Sequence, residues 1–249
     1  MKARLTLGVT AAMAVMSVAT GVSQAAVMFD QNFDSMTLGD INGQQGWVGN
    51  TGAPIADVQN TVTVSGNALQ VGNGGSAAHY SALPANKTTQ WLSFDIRLAQ
   101  DIYDFSGTPG IDIQHAVQVR GPNINEECFL VYKAGTNGSG VVGFSRWEIR
   151  GTSTFTSPDV RKDIWYSVLL KFDFAGNRVD AEMARAGQAW WDPASVALGN
   201  NGNRNIINFA ADGDPANLSV FVDNVLIIPE PATAGMLALA GMLALRRRR

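Results

Sequence analysis

Five glutamates, Glu126, Glu127, Glu148, Glu182 and Glu230, are scattered along the chain. Cleavage of a glycosidic bond requires two carboxyl groups flanking that bond, and these five form no such pattern. Histidine is limited to His79 and His115, too few for a zinc site. His115 falls on the apolar side of an alternating run, the place of a hydrogen-bonded core histidine. No segment reads Gly-x-Ser-x-Gly, His-Glu-x-x-His or a phosphate loop. The single cysteine, Cys128, excludes an intramolecular disulfide and reads as a buried, inert thiol. Aromatic chemistry is better represented. Pyranose rings offer C–H faces and hydroxyls, which a flat aromatic surface with polar neighbours complements. Trp91, Trp147, Trp165, Trp190 and Trp191 form the pool. Trp190 and Trp191, beside Asp192-Pro193, read as an exposed platform. Trp91 and Trp165 lie opposite the apolar faces of their runs, and Trp147 reads as core.

The segments that carry these residues alternate with period two, the signature of strands with one wet face. Leu92, Phe94, Ile96 and Leu98 share a face. So do Ile111, Ile113, His115, Val117 and Val119. The longest run is Ile164, Tyr166, Val168, Leu170, Phe172 and Phe174, followed by a turn at Ala175-Gly176-Asn177 and a partner run of Val179, Ala181 and Met183. Shorter strands are expected at Val27–Phe33, Thr61–Val64, Ala68–Val71, Ala77–Ser81, Glu127–Lys133 and Val141–Ile149, and a last one at Leu218–Ile228. In that last run Asp223 shares a face with Phe221 and Val225. Ala181 to Trp191 has room for a helical turn ending before Asp192-Pro193, and Gly199 to Asn205 reads as a loop. About a dozen strands, 26 glycines and few charged residues predict an all-β, two-sheet antiparallel jelly-roll sandwich.

Both ends carry targeting signals. Lys2 and Arg4, the apolar stretch Leu5 to Ala19 and Ser23-Gln24-Ala25 read as a signal peptide cleaved by signal peptidase after Ala25. At the other end Pro229-Glu230-Pro231 precedes the 14 apolar or small residues Ala232 to Leu245 and then Arg246, Arg247, Arg248 and Arg249. As a helix those 14 residues span about 21 Å, short against a hydrocarbon core of ~30 Å. The arginines hold the end cytoplasmic. This predicts a transient inner-membrane tether, with residues 26–228 as the exported body between segments 1–25 and 229–249. Removing Lys2, Arg4 and the four terminal arginines takes six of 18 basic residues and no acidic one, so over Ala26 to Pro231 12 face 21, Glu230 included, for a charge of −9. That argues against nucleic acid and anionic lipid as partners. An acidic polysaccharide is disfavoured unless divalent cations bridge it.

The Pro-Glu-Pro motif, apolar run and arginine cluster resemble the PEP-CTERM sorting domain. The resemblance implies that an exosortase of a Gram-negative, exopolysaccharide-making bacterium reads Pro229, Glu230 and Pro231 and removes the tail. The body then reaches the cell surface or extracellular matrix. Phe29-Asp30-Gln31-Asn32-Phe33-Asp34 with Gly43-Gln44-Gln45-Gly46-Trp47 at the start, and Val220-Phe221-Val222-Asp223-Asn224-Val225 at the end, are similar to concanavalin A-like lectin/glucanase and laminin-G-like sandwiches. That resemblance implies paired first and last strands and carbohydrate binding, with Trp190, Trp191 and Trp91 as platforms. It also implies a structural calcium near the paired ends, held by Asp30, Asp34 and Asp223. The hydrolytic branch of those folds carries Glu-x-Asp-x-Glu on one strand. Here Gly110-Ile111-Asp112-Ile113-Gln114 keeps only Asp112. The expectation is a non-enzymatic polysaccharide-binding module. The alternatives are a glycan-active hydrolase and a self-associating surface protein.

Overall fold

Alternating residues sort into two antiparallel sheets in the computed structural model. It describes residues 29–49, 56–72, 74–80, 90–120, 128–150, 154–173, 176–185, 188–191, 196–197, 206–214 and 219–229. In chain order the strands are β1 (Phe29–Gln31), β2 (Gly39–Asp40), β3 (Trp47–Gly49), β4 (Ala56–Gln59), β5 (Ala68–Gly72), β6 (Ser76–Tyr80), β7 (Gln90–Leu98), β8 (Asp112–Arg120), β9 (Cys128–Thr136), β10 (Val142–Arg150), β11 (Thr154–Thr156), β12 (Trp165–Asp173), β13 (Arg178–Arg185), β14 (Gln188–Trp191), β15 (Val196–Ala197), β16 (Ile206–Asp214) and β17 (Ser219–Pro229). The ten-stranded sheet runs β14-β13-β12-β7-β17-β5-β4-β2, with β1 on β17 and β15 on β13. The seven-stranded sheet runs β11-β10-β9-β8-β16-β6-β3. The first and last strands pair as expected, Asp30 opposite Leu226. A 3-10 turn at Ile102–Phe105 is capped by Asp101, whose side chain accepts from the Tyr103 N–H, while Asp104 returns the bond to the Asp101 N–H.

The inner faces interlock as the alternation predicts. Leu92, Phe94, Ile96 and Leu98 of β7, with Tyr166, Val168, Leu170 and Phe172 of β12, are all but fully buried. Facing them are Ile113, Val117 and Val119 of β8, Leu130 and Tyr132 of β9, and Trp147 and Ile149 of β10. Trp47 is fully buried beside Phe33 and Phe209, at centroid distances of 5.6 and 6.2 Å.

Four local expectations are corrected. Thr61–Val64 is not a strand. The Thr61 and Val62 N–H groups donate to the Gln59 side chain, and the Val64 N–H donates to Asp223, so those donors leave no ladder to form. The strand precedes them, as β4. Within Ala181 to Trp191 the described residues up to Arg185 and from Gln188 are not helical but paired antiparallel, as β13 and β14, because Val179, Ala181 and Met183 continue their buried alternation. β16 was not anticipated. Its Asn208-Phe209-Ala210-Ala211-Asp212-Gly213-Asp214 looks loop-like, yet it is hydrogen-bonded on both sides, to β6 and β8. In β17 the pairing with β7 shifts between Asp223 and Leu226, and Asn224 has φ +52°. This bulge reverses the alternation, so Val225 is buried with Val220 and Val222 rather than sharing a face with Phe221. Residues 1–28 and 230–249, where the targeting signals are expected, lie outside the described residues. Pro229 ends β17 opposite Gln90.

Candidate functional site

The outward face of the seven-stranded sheet is built from every second residue of β8, β9, β10 and β16. On β10 the side chains of Ser145, Trp147 and Ile149 are buried, so Phe144, Arg146 and Glu148 point away from the core. A second bulge lies between Val142 and Phe144. It lets Val142 pack on the core, while Phe144 keeps the outward phase of Arg146 and is 37% exposed. Phe144 stands opposite Gly135. A Cβ added at Gly135 would meet Phe144 Cζ at 3.2 Å, so the missing side chain gives the ring its seat.

Around this ring lie groups that can bind hydroxyls and charge. The Arg146 guanidinium is 5.0 Å from the Phe144 centroid. Its Nε and Nη2 donate to Glu148 Oε1 at 3.1 and 2.9 Å. Lys133 stands directly opposite Arg146, and Gln114 directly opposite Lys133. Further along, the Asn208 amide donates to Gln118 Oε1 at 2.8 Å, which orients both amides. Asn208 and Glu148 are nearly buried even on this outward side. Beneath, the Tyr132 hydroxyl shares a 3.0 Å bond with Ser145, and Ser145 donates to the Val160 carbonyl at 2.7 Å. Burial pushes the Tyr132 phenol up, so it stays protonated. The inward side of β10 is thus pinned under the patch.

Asp112 lies on the same face, exposed, opposite Gly135. Glu148 lies two strands away and four residues further along the ladder, about 13 Å measured along the strands. A glycosidase pair stands ~5–9.5 Å apart, so these two cannot flank one bond.

The outward face of the ten-stranded sheet is organised differently. Asp95 and Asp223 are register partners. Asp95 accepts from Ser167 at 2.6 Å and from the Asn224 amide at 2.8 Å. Asp223, fully buried, accepts from the backbone N–H groups of Asn224 (2.8 Å), Val64 (3.0 Å) and Ser65 (3.4 Å). Burial raises its carboxyl above the usual range, opposed by those three bonds. Trp91 is half-buried here, with the Lys171 ammonium 5.5 Å from its ring and Lys171 paired to Glu182. Arg97 pairs with Asp163 at 2.6 Å.

Of the residues expected to hold calcium, Asp30 is exposed on β1. Asp34 accepts from the Asn67 N–H at 2.7 Å and from the Asn32 amide at 3.1 Å. Asp223 is engaged as above. Among the described residues no three or more His, Cys, Asp or Glu side chains form a group that could hold a metal ion. Trp190 and Trp191 lie in the edge strand β14, Trp191 opposite Met183; their side chains fall outside the described ones. Trp147 is fully buried, as read from the sequence. Phe144, Lys133 and Gln114 were missed. Alternation with Trp147 puts Phe144 outward, but sequence logic singles out only tryptophans as sugar platforms, and the seat at Gly135 requires the register.

No protein-family model matches the chain, and no curated protein is similar to it. Solved structures do share its fold. A sialidase is 13% identical, with a TM-score of 0.51, over 83% of this chain and 19% of the sialidase. Lectin UEA-II complexed with galactose is 11% identical, with a TM-score of 0.50, over 82% of this chain and 99% of the lectin. At such identities the likeness establishes a lectin-like, jelly-roll sandwich.

Proposed function

We propose that the protein is an exported, non-enzymatic carbohydrate-binding sandwich that engages polysaccharide through the outward face of its seven-stranded sheet. The observation that carries this is the Phe144 ring seated over Gly135, with Arg146 beside it and Lys133 and Gln114 in the next row of the same face. An exposed ring matches the apolar face of a pyranose, and amides offer both donor and acceptor to each hydroxyl. The fold is one shared with a lectin bound to galactose. The 13 Å offset between Asp112 and Glu148 weighs against the hydrolase alternative. The strands with a single partner among the described residues are β1, β2, β14, β15, β3 and β11, each of two to four residues. Such short edges weigh against strand-to-strand self-assembly.

The test is a glycan array probed with the full chain and with Phe144→Ala. Binding to at least one polysaccharide, lost in the variant without a fall in melting temperature, supports the reading. Reducing-sugar release from any array glycan would replace it with the hydrolase.

The route outward is the second half of the proposal. Segment 1–25 directs export, and segment 229–249 tethers the body 26–228 until an exosortase reads Pro229, Glu230 and Pro231. The final place is the cell surface or matrix of a Gram-negative bacterium. Mass spectrometry of the protein from its native host reads both termini. A chain starting at Ala26 and lacking Arg246 to Arg249 is expected; intact termini would sink the sorting scheme. A structural calcium remains part of the proposal only through a melting temperature that rises on adding the ion.

A further inference from the structure

We infer that the ligand of this face is a carboxylated polysaccharide, a chain of hexuronate units whose carboxylate is held at Lys133 and Arg146 while a sugar ring rests on Phe144. This rests on the glycan-binding reading above and names its substrate class.

The argument starts from a misfit. Lys133 and Arg146 are direct register partners on one sheet face. Like charges so placed destabilise a sheet, and nothing in the core requires them there. Arg146 is neutralised by Glu148 of its own strand. Lys133 is half-buried, and among the described residues its ammonium has no ion-pair or hydrogen-bond partner. A partly desolvated cation without a countercharge is unfavourable. The trio of Lys133, Arg146 and Glu148 therefore carries one surplus positive charge, which calls for a monoanion.

The surroundings narrow the anion. Glu148 accepts from Arg146 Nε and Nη2, which leaves Nη1 free of that contact and able to donate beside the Lys133 ammonium. The Gln114 amide follows in the same row, able to meet a hydroxyl. The exposed Phe144 ring adjoins the cations. A hexuronate presents these features together: one carboxylate, several hydroxyls and an apolar ring face. The body as a whole is acidic, with 21 acidic residues in the chain, so long-range attraction cannot draw in a polyanion. Contact must come from this local pair, and Asp112 at the rim opposes it.

The experiment is affinity electrophoresis of the full chain through polygalacturonate, through the same polymer with its carboxylates reduced to hydroxymethyl groups, and through a sulfated glucan, with a chelator present throughout. Retardation by polygalacturonate, weakened about tenfold on carboxyl reduction and on Lys133→Gln but kept in Lys133→Arg, is the expected result. Asp112→Asn should tighten binding about twofold. Equal binding of the reduced polymer, binding of the sulfated glucan alone, or indifference to Lys133→Gln would each overturn this inference while leaving glycan binding standing. Retardation that vanishes with chelator would also overturn it, since a divalent cation would then bridge the two. If no polysaccharide on the array or in the gel binds, the glycan-binding reading falls and takes this inference with it.

Discussion

The two outward faces of the sandwich handle polar groups in opposite ways. On the ten-stranded sheet most polar side chains around β7, β12 and β17 are paired, with Arg97 Nε and the opposed Asp40 and Asp57 at the β2–β4 edge as exceptions. Asp95 takes Ser167 and Asn224, Asp223 takes three backbone N–H groups, Arg97 takes Asp163, and Lys171 takes Glu182. On the seven-stranded sheet Arg146 and Glu148 pair, but Lys133 stands beside them as a surplus charge next to an exposed ring. A self-satisfied surface holds a fold together, whereas a surface with unused bonding capacity is built for something outside the molecule. Mutations should therefore separate the two faces: stability should respond on one and ligand binding on the other.

The largest effect is expected at Asp223. Its carboxylate joins the bulge of β17 to the loop at Val64 and Ser65, more than 150 residues away in sequence. Asp223→Ala strands buried N–H groups, each worth about 1–3 kcal/mol when unsatisfied. A total loss of about 3 kcal/mol, read from urea denaturation, is expected, with polysaccharide binding by the folded fraction unchanged. A loss under about 0.5 kcal/mol, typical of an ordinary surface site, would show that the loop holds without this clasp.

Acid should separate the two sheets by sign. His115, on the inner face of β8, is fully enclosed and stacked on Tyr132 at 5.8 Å, and burial lowers its pKa from 6.5 to about 4. The unfolded chain thus binds a proton between those values that the folded chain refuses. The stability present above pH 6.5 declines as pH falls toward 4, by about 3 kcal/mol in all. Asp223 works the other way. Its raised carboxyl makes a contribution that is full below 3.8 and lost as pH rises through the folded value. Denaturation series at stepped pH should show His115→Phe flattening the decline between pH 6.5 and 4. If that variant melts with the same acid dependence as the parent, the imidazole is not the group responsible.

The sequence shows the sheets better than it shows what they present. Strands β7, β8, β12 and β13 follow directly from alternating Leu, Ile, Val and Phe, since one buried face imposes period two. The pairing of β1 with β17 came from the family resemblance and holds. What stayed hidden sits where period two breaks. The bulge beside Gly143 decides that Val142 faces the core, and the bulge at Asn224 decides that Val225 faces inward. Each inserts one residue, and composition alone does not place it. β16 was lost for a different reason. A central strand is held by ladders on both sides, so alanine, glycine and aspartate, poor strand formers on their own, are carried by their neighbours. The misfit of Lys133 against Arg146 requires the register, which no single strand contains.

The smallest expected effect is the one that most sharpens the contrast. Trp91 is the tryptophan that sequence logic selects as a sugar platform and whose side chain is among the described ones. It lies on the self-satisfied sheet, half-buried, with Lys171 near its ring and Lys171 itself held by Glu182. A sugar stacking there would have to displace that ammonium and give up a cation–π contact of about 0.5–1 kcal/mol at an exposed site. Phe144 carries a cation too, but Arg146 is anchored by two bonds to Glu148, and the exposed part of the ring remains open. Trp91→Ala should accordingly change polysaccharide affinity less than twofold, where Phe144→Ala lowers it about tenfold, some 1.4 kcal/mol. Both are measurable by isothermal titration on the same polymer. The reverse ranking would move the binding surface to the ten-stranded sheet and make the charge surplus at Lys133 a feature without a ligand.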